Sequence, residues 1–291
     1  MIDFVLPKSC DRPSAGTRMR ERKRTLFGME QAWHLIDLDY ADDVTLLESG
    51  SERGQQALYS LQRAGEEVGL TISKSKTKTM GFGETEPGIH LDGECVDAVN
   101  HSCYLGSEVM SSGQLDEELR TRIGCASVTF GQLSKIWRSK TCLKTKLRIY
   151  NAVVISTLLY GSETWTTTNT EEKRLDVFDN RCLSRILGRK WFHRVRNTAV
   201  RERTGQTPAS LLLKTKRLRW FGHVSRMGQE RLPKALSQWR PENAKRRRGR
   251  CRTRWIDAVE RDAKLAGIDQ DLESMAADKA QWRDMLALLV S

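Results

Sequence analysis

The spacing of apolar residues changes character once along this chain, and that change limits what it can fold into. Up to about residue 112 the apolar residues come in short runs set between turn-forming residues, the pattern of short strands. From Leu115 they recur every three or four residues, through Leu119, Ile123, Ala126, Phe130, Leu133 and Trp137, the period of one helix face. A second such pattern runs from about Leu143 to Tyr160 through Leu147, Tyr150, Val154 and Leu158 and stops near Gly161. The two helices are expected to pack as an antiparallel pair. The sequence from Glu171 onward is helix-forming, broken at Gly188, Gly205, Pro208, Pro233 and Pro241, with final helices at about 254–266 and 276–289. Strands followed by helices make an α+β chain.

Within the strand-rich part, residues 8–25 mix Pro13, Gly16 and several basic residues and read as a flexible connector. The first ordered element is then expected near Leu26. From Leu35 to Leu47 two apolar arms flank Asp39-Tyr40-Ala41-Asp42-Asp43, a β-hairpin with acids at its tip. Ser49 and Glu52 have capping-box spacing, and Ala57, Leu61, Ala64 and Val68 follow at helical intervals as far as Gly69. The alternating stretch Leu70–Met80 predicts a strand, Gly81–Gly93 a loop, and the stretches at about 94–99 and 104–110 two more strands.

Charge is unevenly placed. The 291 residues carry a net +12, yet residues 171–260 alone hold 25 Lys and Arg against nine Asp and Glu. A field of that sign attracts polyanions, nucleic acid first among them, because each neutralised phosphate releases counterions. Trp191, Trp220, Trp239 and Trp255 are interleaved with the charge, which solubility alone does not require. The basic run at 244–254 is expected to be a loop between helices. Mean hydropathy is −0.55, and no apolar run approaches the ~20 residues that span a bilayer. The start, Met1–Pro7, is too short and acidic for a signal peptide, so an intracellular protein, nuclear or cytoplasmic, is expected. Seven cysteines without a C-x-x-C pair suggest neither a disulfide framework nor a zinc module, and most are expected to be buried thiols.

Chemistry is concentrated at Asp42 and Asp43. Two adjacent carboxylates on a turn can face Mg²⁺, which takes oxygen ligands and leaves room for phosphates. Nucleotidyl transfer uses two such ions ~3.5–4 Å apart, one on the attacking oxygen and one on the leaving group. The small Ala41 leaves space for a primer end.

These residues, in their order, resemble reverse transcriptases of non-LTR (LINE-type) retrotransposons. The segment from Leu35 to Leu47 resembles the palm hairpin with its Tyr-x-Asp-Asp signature. The stretch Gly69–Met80 resembles the following helix-to-strand motif, and Tyr104-Leu105-Gly106-Ser107 the primer-grip hairpin. The two long helices with Leu159-Tyr160-Gly161-Ser162-Glu163-Thr164-Trp165 resemble the thumb and its exit. The stretches Arg217–Val224 and Arg246–Trp255 resemble the basic tail. The resemblance implies an RNA-directed DNA polymerase with Asp42 and Asp43 as carboxylates of a two-Mg²⁺ site and Lys76 as general acid, Lys78 being second choice. Tyr40, Ala41, Tyr104, Leu105 and Gly106 would lie near an RNA template and DNA primer, with Arg246, Arg247, Arg248 and Arg250 on nucleic acid. It implies a flexible remnant over 1–25, a partial palm over 26–112, a helical thumb over 113–169 and a basic helical nucleic-acid-binding region over 170–291.

The family also places a further metal-binding Asp, preceded by fingers, well upstream of the hairpin, and only 39 residues precede Tyr40 here. The expectation is a truncated polymerase, inactive alone because a two-metal site lacking one carboxylate misplaces the attacking oxygen. The other reading is a non-catalytic RNA- or DNA-binding protein that grips its ligand through residues 171–260.

Overall fold

A computed structural model describes residues 17–20, 32–82, 88–189, 191–229, 231–238, 253–268 and 271–289. These divide into two compact units, the first mainly residues 17–104 and 109–113 and the second mainly residues 105–108 and 114–289. No helix among the described residues is long and apolar enough to cross a membrane. The α+β expectation holds.

The first unit is built from two-stranded ladders and one helix. Strands β1 (Thr17–Arg20) and β2 (Ala32–Leu35) pair antiparallel, Thr17 opposite Leu35. The chain is thus already in a strand before Leu26, where order was expected to begin. Strands β3 (Asp37–Tyr40) and β4 (Asp43–Leu46) form the expected hairpin. Helix α1 (Ser51–Glu66) follows it, and Gly69, at φ +76°, lets the Leu70 N–H return to the Gly65 carbonyl at 2.9 Å, closing the helix where the sequence implied.

The capping box does not form. Gly50 is the N-cap, without a side-chain hydrogen bond, and Ser49 Oγ instead accepts from Arg53 at 3.0 Å. The strand expected over 70–80 is also mostly a loop, because the Thr77 hydroxyl and amide both bond the Ser73 carbonyl and fold 73–77 into a turn. Only β5 (Lys78–Thr79) is extended, parallel to β8 (Asp97–Ala98). Between them β6 (His90–Leu91) and β7 (Glu94–Cys95) join through an Asp92-Gly93 turn, both residues at positive φ, as a right-twisted two-residue hairpin prefers. Leu58 on α1 packs on Leu91 and Val96 in a small core flanked by Ile72 and Ile89. The Gln55 amide makes both backbone bonds to His90, at 2.7 and 2.6 Å, standing in for a strand. Strands β9 (His101–Tyr104) and β10 (Ser107–Met110) make the last hairpin.

The second unit is helical. Helices α2 (Asp116–Gln132) and α3 (Ser134–Arg138) realise the first periodic stretch, interrupted at Leu133. The second stretch is α4 (Leu143–Ile149), a π-helical turn at Tyr150–Ile155 and α5 (Ser156–Leu158). Arg122 lies over Tyr160 while Phe130 meets Tyr150 edge-on, so the two stretches run antiparallel, as the periodicity implied. Helices α6 (Asn169–Ile186), α7 (Asn197–Thr204), α8 (Ala209–Ser225) and α9 (Leu232–Gln238) follow. Gly188 and Gly205 end α6 and α7 at positive φ, and Pro208 is the N-cap of α8. Pro233 does not break a helix but sits in the first turn of α9, where a missing amide costs nothing. Pro241 and the run 244–252 lie outside the described residues. Helices α10 (Trp255–Leu265), α11 (Leu272–Ala277) and α12 (Lys279–Leu288) complete the chain, the expected final helix being split at Asp278, whose carboxylate caps α12.

Two cores meet along α8. The larger holds Leu119, Phe130, Tyr150, Leu158, Leu175, Leu183 and Leu213, and the smaller Leu218, Phe221, Val259, Trp282 and Leu286. Between them lies a buried polar layer. Arg217 is fully buried, ion-paired with Asp262 and bonded to Thr167 Oγ1 at 2.9 Å. Glu172 takes Thr167, Lys214 and Arg261 at 2.9, 3.1 and 3.1 Å. Asp179 on α6 accepts from Tyr150 Oη and Arg201 and from the Ala209 amide, and Asp176 takes the Ser210 amide and hydroxyl. Carboxylates of α6 thereby cap the N-terminus of α8.

Candidate functional site

The hairpin carries the acids as the sequence implied. Tyr40 pairs with Asp43, so Ala41 and Asp42 form a two-residue turn and Asp43 opens the return strand. Ala41 sits at φ +55°, a left-handed conformation that favours glycine and costs a residue with a Cβ about 1 kcal/mol. Such strain concentrates at functional turns. Both carboxylates are exposed, and neither has a hydrogen-bond or ion-pair partner among the described residues. The Tyr40 ring is 64 % exposed beside them. The two arms of this ladder have no further strand on either side among the described residues.

Among the described residues no three acidic, His or Cys side chains converge to hold a metal, so the Mg²⁺ expected at Asp42 and Asp43 would find two carboxylates there and no third protein ligand.

Tyr104 is brought to the same hairpin, its hydroxyl donating to the Leu38 carbonyl at 3.4 Å. Lys76 is exposed in the 73–77 turn and Lys78 on β5. The neighbouring Lys74 is the lysine with ion-pair partners, Asp92 at 3.3 Å and Glu94 at 3.8 Å.

Leu105 and Gly106, both at positive φ, turn the β9–β10 hairpin. Their carbonyls are engaged by the protein itself. Tyr160 Oη donates to the Leu105 carbonyl at 3.1 Å, and the Arg122 guanidinium donates to the Gly106 carbonyl. Glu118 completes the staple, accepting from Arg122 Nε at 2.8 Å and from the Glu108 amide at 2.6 Å. Gly161, at φ +67°, brings the chain against Ser107. The Leu-Gly-Ser and Tyr-Gly-Ser motifs, far apart in sequence, are therefore one packed unit. Periodicity could not show it; the one sequence signal was that each motif puts a glycine beside polar and aromatic residues.

The basic region is less free than its composition implied. Arg174, Arg201, Lys214, Arg217, Arg254 and Arg261 are ion-paired with acids, and Lys216, Arg226 and Lys234 donate to backbone carbonyls. Lys173, Arg181, Arg185, Arg189, Arg194, Arg196, Arg203, Arg219 and Arg231 are exposed, as is the Phe192 ring. Arg246, Arg247, Arg248 and Arg250, with Trp239, lie outside the described residues. Trp220 and Trp255 are half-buried, and Trp255 Nε1 donates to the Glu163 carbonyl at 2.8 Å.

The cysteines differ from expectation. Cys95, Cys103, Cys125 and Cys142 are exposed and Cys182 is buried. Cys95 and Cys103 sit on two-stranded ladders, on a face that no second layer covers among the described residues. Burial pushes the Cys182 thiol up to about 12. The hydrogen bond from Thr145, on the turn that opens α4, holds the Cys142 thiol below the ordinary range.

No family model matches the chain, and no solved structure matches it. It is similar to a transposon-derived protein of Caenorhabditis elegans, 25 % identical over 262 residues that cover 86 % of this chain and 94 % of that protein. A relationship to a transposon-derived protein is what the comparisons support.

Proposed function

We propose that this chain descends from the RNA-directed DNA polymerase of a non-LTR retrotransposon and acts by binding nucleic acid rather than by polymerising it alone. The observation that carries the reading is the Tyr40-Ala41-Asp42-Asp43 turn. Two adjacent carboxylates are held on a tight, strained hairpin, beside an exposed aromatic ring and with Tyr104 reaching the same arm. The likeness to a transposon-derived protein agrees with the mobile-element part of the reading. Nucleic-acid binding is supported by the exposed Arg181, Arg185, Arg189, Arg194 and Arg196, whose charge attracts a polyanion.

The test uses the purified full chain in two assays. Primer extension on an RNA template with Mg²⁺ or Mn²⁺ is expected to yield no templated product. Incorporation that Asp42→Ala abolishes would overturn the inactive reading. Oligonucleotide binding is expected to weaken steeply with salt, by roughly 0.7–0.9 in log–log slope per phosphate contacted, and to survive Asp42→Ala with Asp43→Ala. Salt-independent binding, or none, would remove the nucleic-acid reading.

A further inference from the structure

Between Glu118 and Glu163 the chain contains no acidic residue and eight Lys and Arg. Three of the eight serve the fold. Arg120 and Arg122 pair with acids at the start of α2, and the buried Lys146 ammonium donates to the Trp137 and Ser139 carbonyls, both at 2.8 Å. Lys146 thus locks the α3–α4 turn from inside. The other five, Lys135, Arg138, Lys140, Lys144 and Arg148, are all exposed around that turn and have no protein partner among the described residues. A rigid surface that crowds five like charges without neutralising them is complementary to a polyanion.

Beside the turn lies an open groove of about 360 Å³. Lys144 and Arg148, one helical turn apart, form its charged wall, Leu143 and Leu147 its apolar floor, and Asn151 and Gln206 its amide side. Asn151 projects from the π-helical turn, an irregularity that recurs at functional sites. The far wall is fixed in advance, since Arg201 donates to the Thr207 carbonyl at 3.1 Å and to Asp179 at 2.6 Å, and Asp179 also holds Tyr150 at 2.6 Å. A preformed site loses little affinity to ordering. Its volume is at the small end of ligand sites, suited to one unstacked nucleotide and not to a base pair.

We infer that this groove and the cationic turn beside it hold single-stranded nucleic acid, with backbone phosphates on Lys144, Arg148 and the neighbouring Arg138 and Lys140, and one nucleotide against Asn151 and Gln206. The inference rests on the nucleic-acid reading above but moves the binding face away from the basic run at 244–254.

The experiment is fluorescence anisotropy of the full chain with a 12-nucleotide oligouridylate across a salt series. Lys144→Glu with Arg148→Glu is expected to weaken binding at least tenfold at 100 mM salt, against the loss of two phosphate contacts worth about 1.4 in log–log slope. Lys144→Arg with Arg148→Lys keeps both affinity and slope, and Asn151→Ala with Gln206→Ala lowers affinity while leaving the slope unchanged. All are surface changes, with circular dichroism as the check on folding. If the charge-reversed chain binds like the parent while Ala at 246, 247, 248 and 250 abolishes binding, the groove is wrong and the nucleic-acid reading stands. If the parent chain does not bind, both fall.

Discussion

Gly222 on α8 lies directly against the indole of Trp282 on α12, so close that a Cβ at Gly222 would overlap the indole Nε1 and Cδ1. The same indole donates from Nε1 to the Leu218 carbonyl at 3.2 Å, so the ring cannot retreat without breaking that bond. Gly222→Ala is expected to destabilise the chain by ~1–3 kcal/mol, the usual cost of overpacking. Gly124→Ala, on α2 with open space around it, is expected to stabilise by roughly 0.5–1 kcal/mol. Urea unfolding of the two variants side by side checks both signs.

Arg217 and Asp262 form a fully buried ion pair that also depends on Thr167. Removing one member leaves an uncompensated charge in the core. Asp262→Ala alone is expected to cost ~3–5 kcal/mol, whereas Arg217→Met together with Asp262→Leu recovers most of it. A double-mutant cycle by chemical denaturation measures the difference; equal losses in the single and double variants would contradict the account.

The strain at Ala41 predicts a gain. Ala41→Gly removes the Cβ at φ +55° and is expected to stabilise the β3–β4 turn by about 1 kcal/mol, offset in part by the greater freedom of glycine when unfolded. Slower amide exchange at Asp43 and Val44 is the readout.

Thiol reactivity separates the cysteines. Cys142 is expected to be alkylated fastest among the described thiols. Because the Thr145 hydrogen bond holds its thiol below the ordinary range, its rate rises at a lower pH than that of an ordinary free thiol, and Cys142→Ser removes the fast phase. Cys182, buried and pushed up to about 12, is expected to stay unmodified at neutral pH until the chain unfolds. Mass spectrometry of peptides after timed iodoacetamide exposure gives the order.

Much of the fold was legible in local pattern. The seven-residue apolar series from Leu115 to Trp137, the stops at Gly69, Gly161, Gly188 and Gly205, and the acidic hairpin at 35–47 are all dictated by spacing and by glycine's freedom at positive φ, and all are found. Patterns that depend on which of two local bonds wins were misread. Ser49 and Glu52 have capping spacing and form no capping box, whereas Thr168 with Glu171 does. Leu70–Met80 alternates like a strand but turns on Ser73, because a two-residue ladder with Asp97 and Ala98 gives it little pairing to gain.

Sequence alone determined that helices follow strands, that two acids top a tight turn, and that positive charge exceeds negative, since each depends only on residue order. Tertiary structure decided what the charge is used for. Arg217, Arg201 and Lys214 look like nucleic-acid contacts in a residue count, but folding brings acids from distant helices to them, and a desolvated cation must be paired. Lys144 and Arg148 lie outside the segment that composition singled out, and the tertiary fold leaves them exposed on the wall of a groove, without a counter-charge among the described residues.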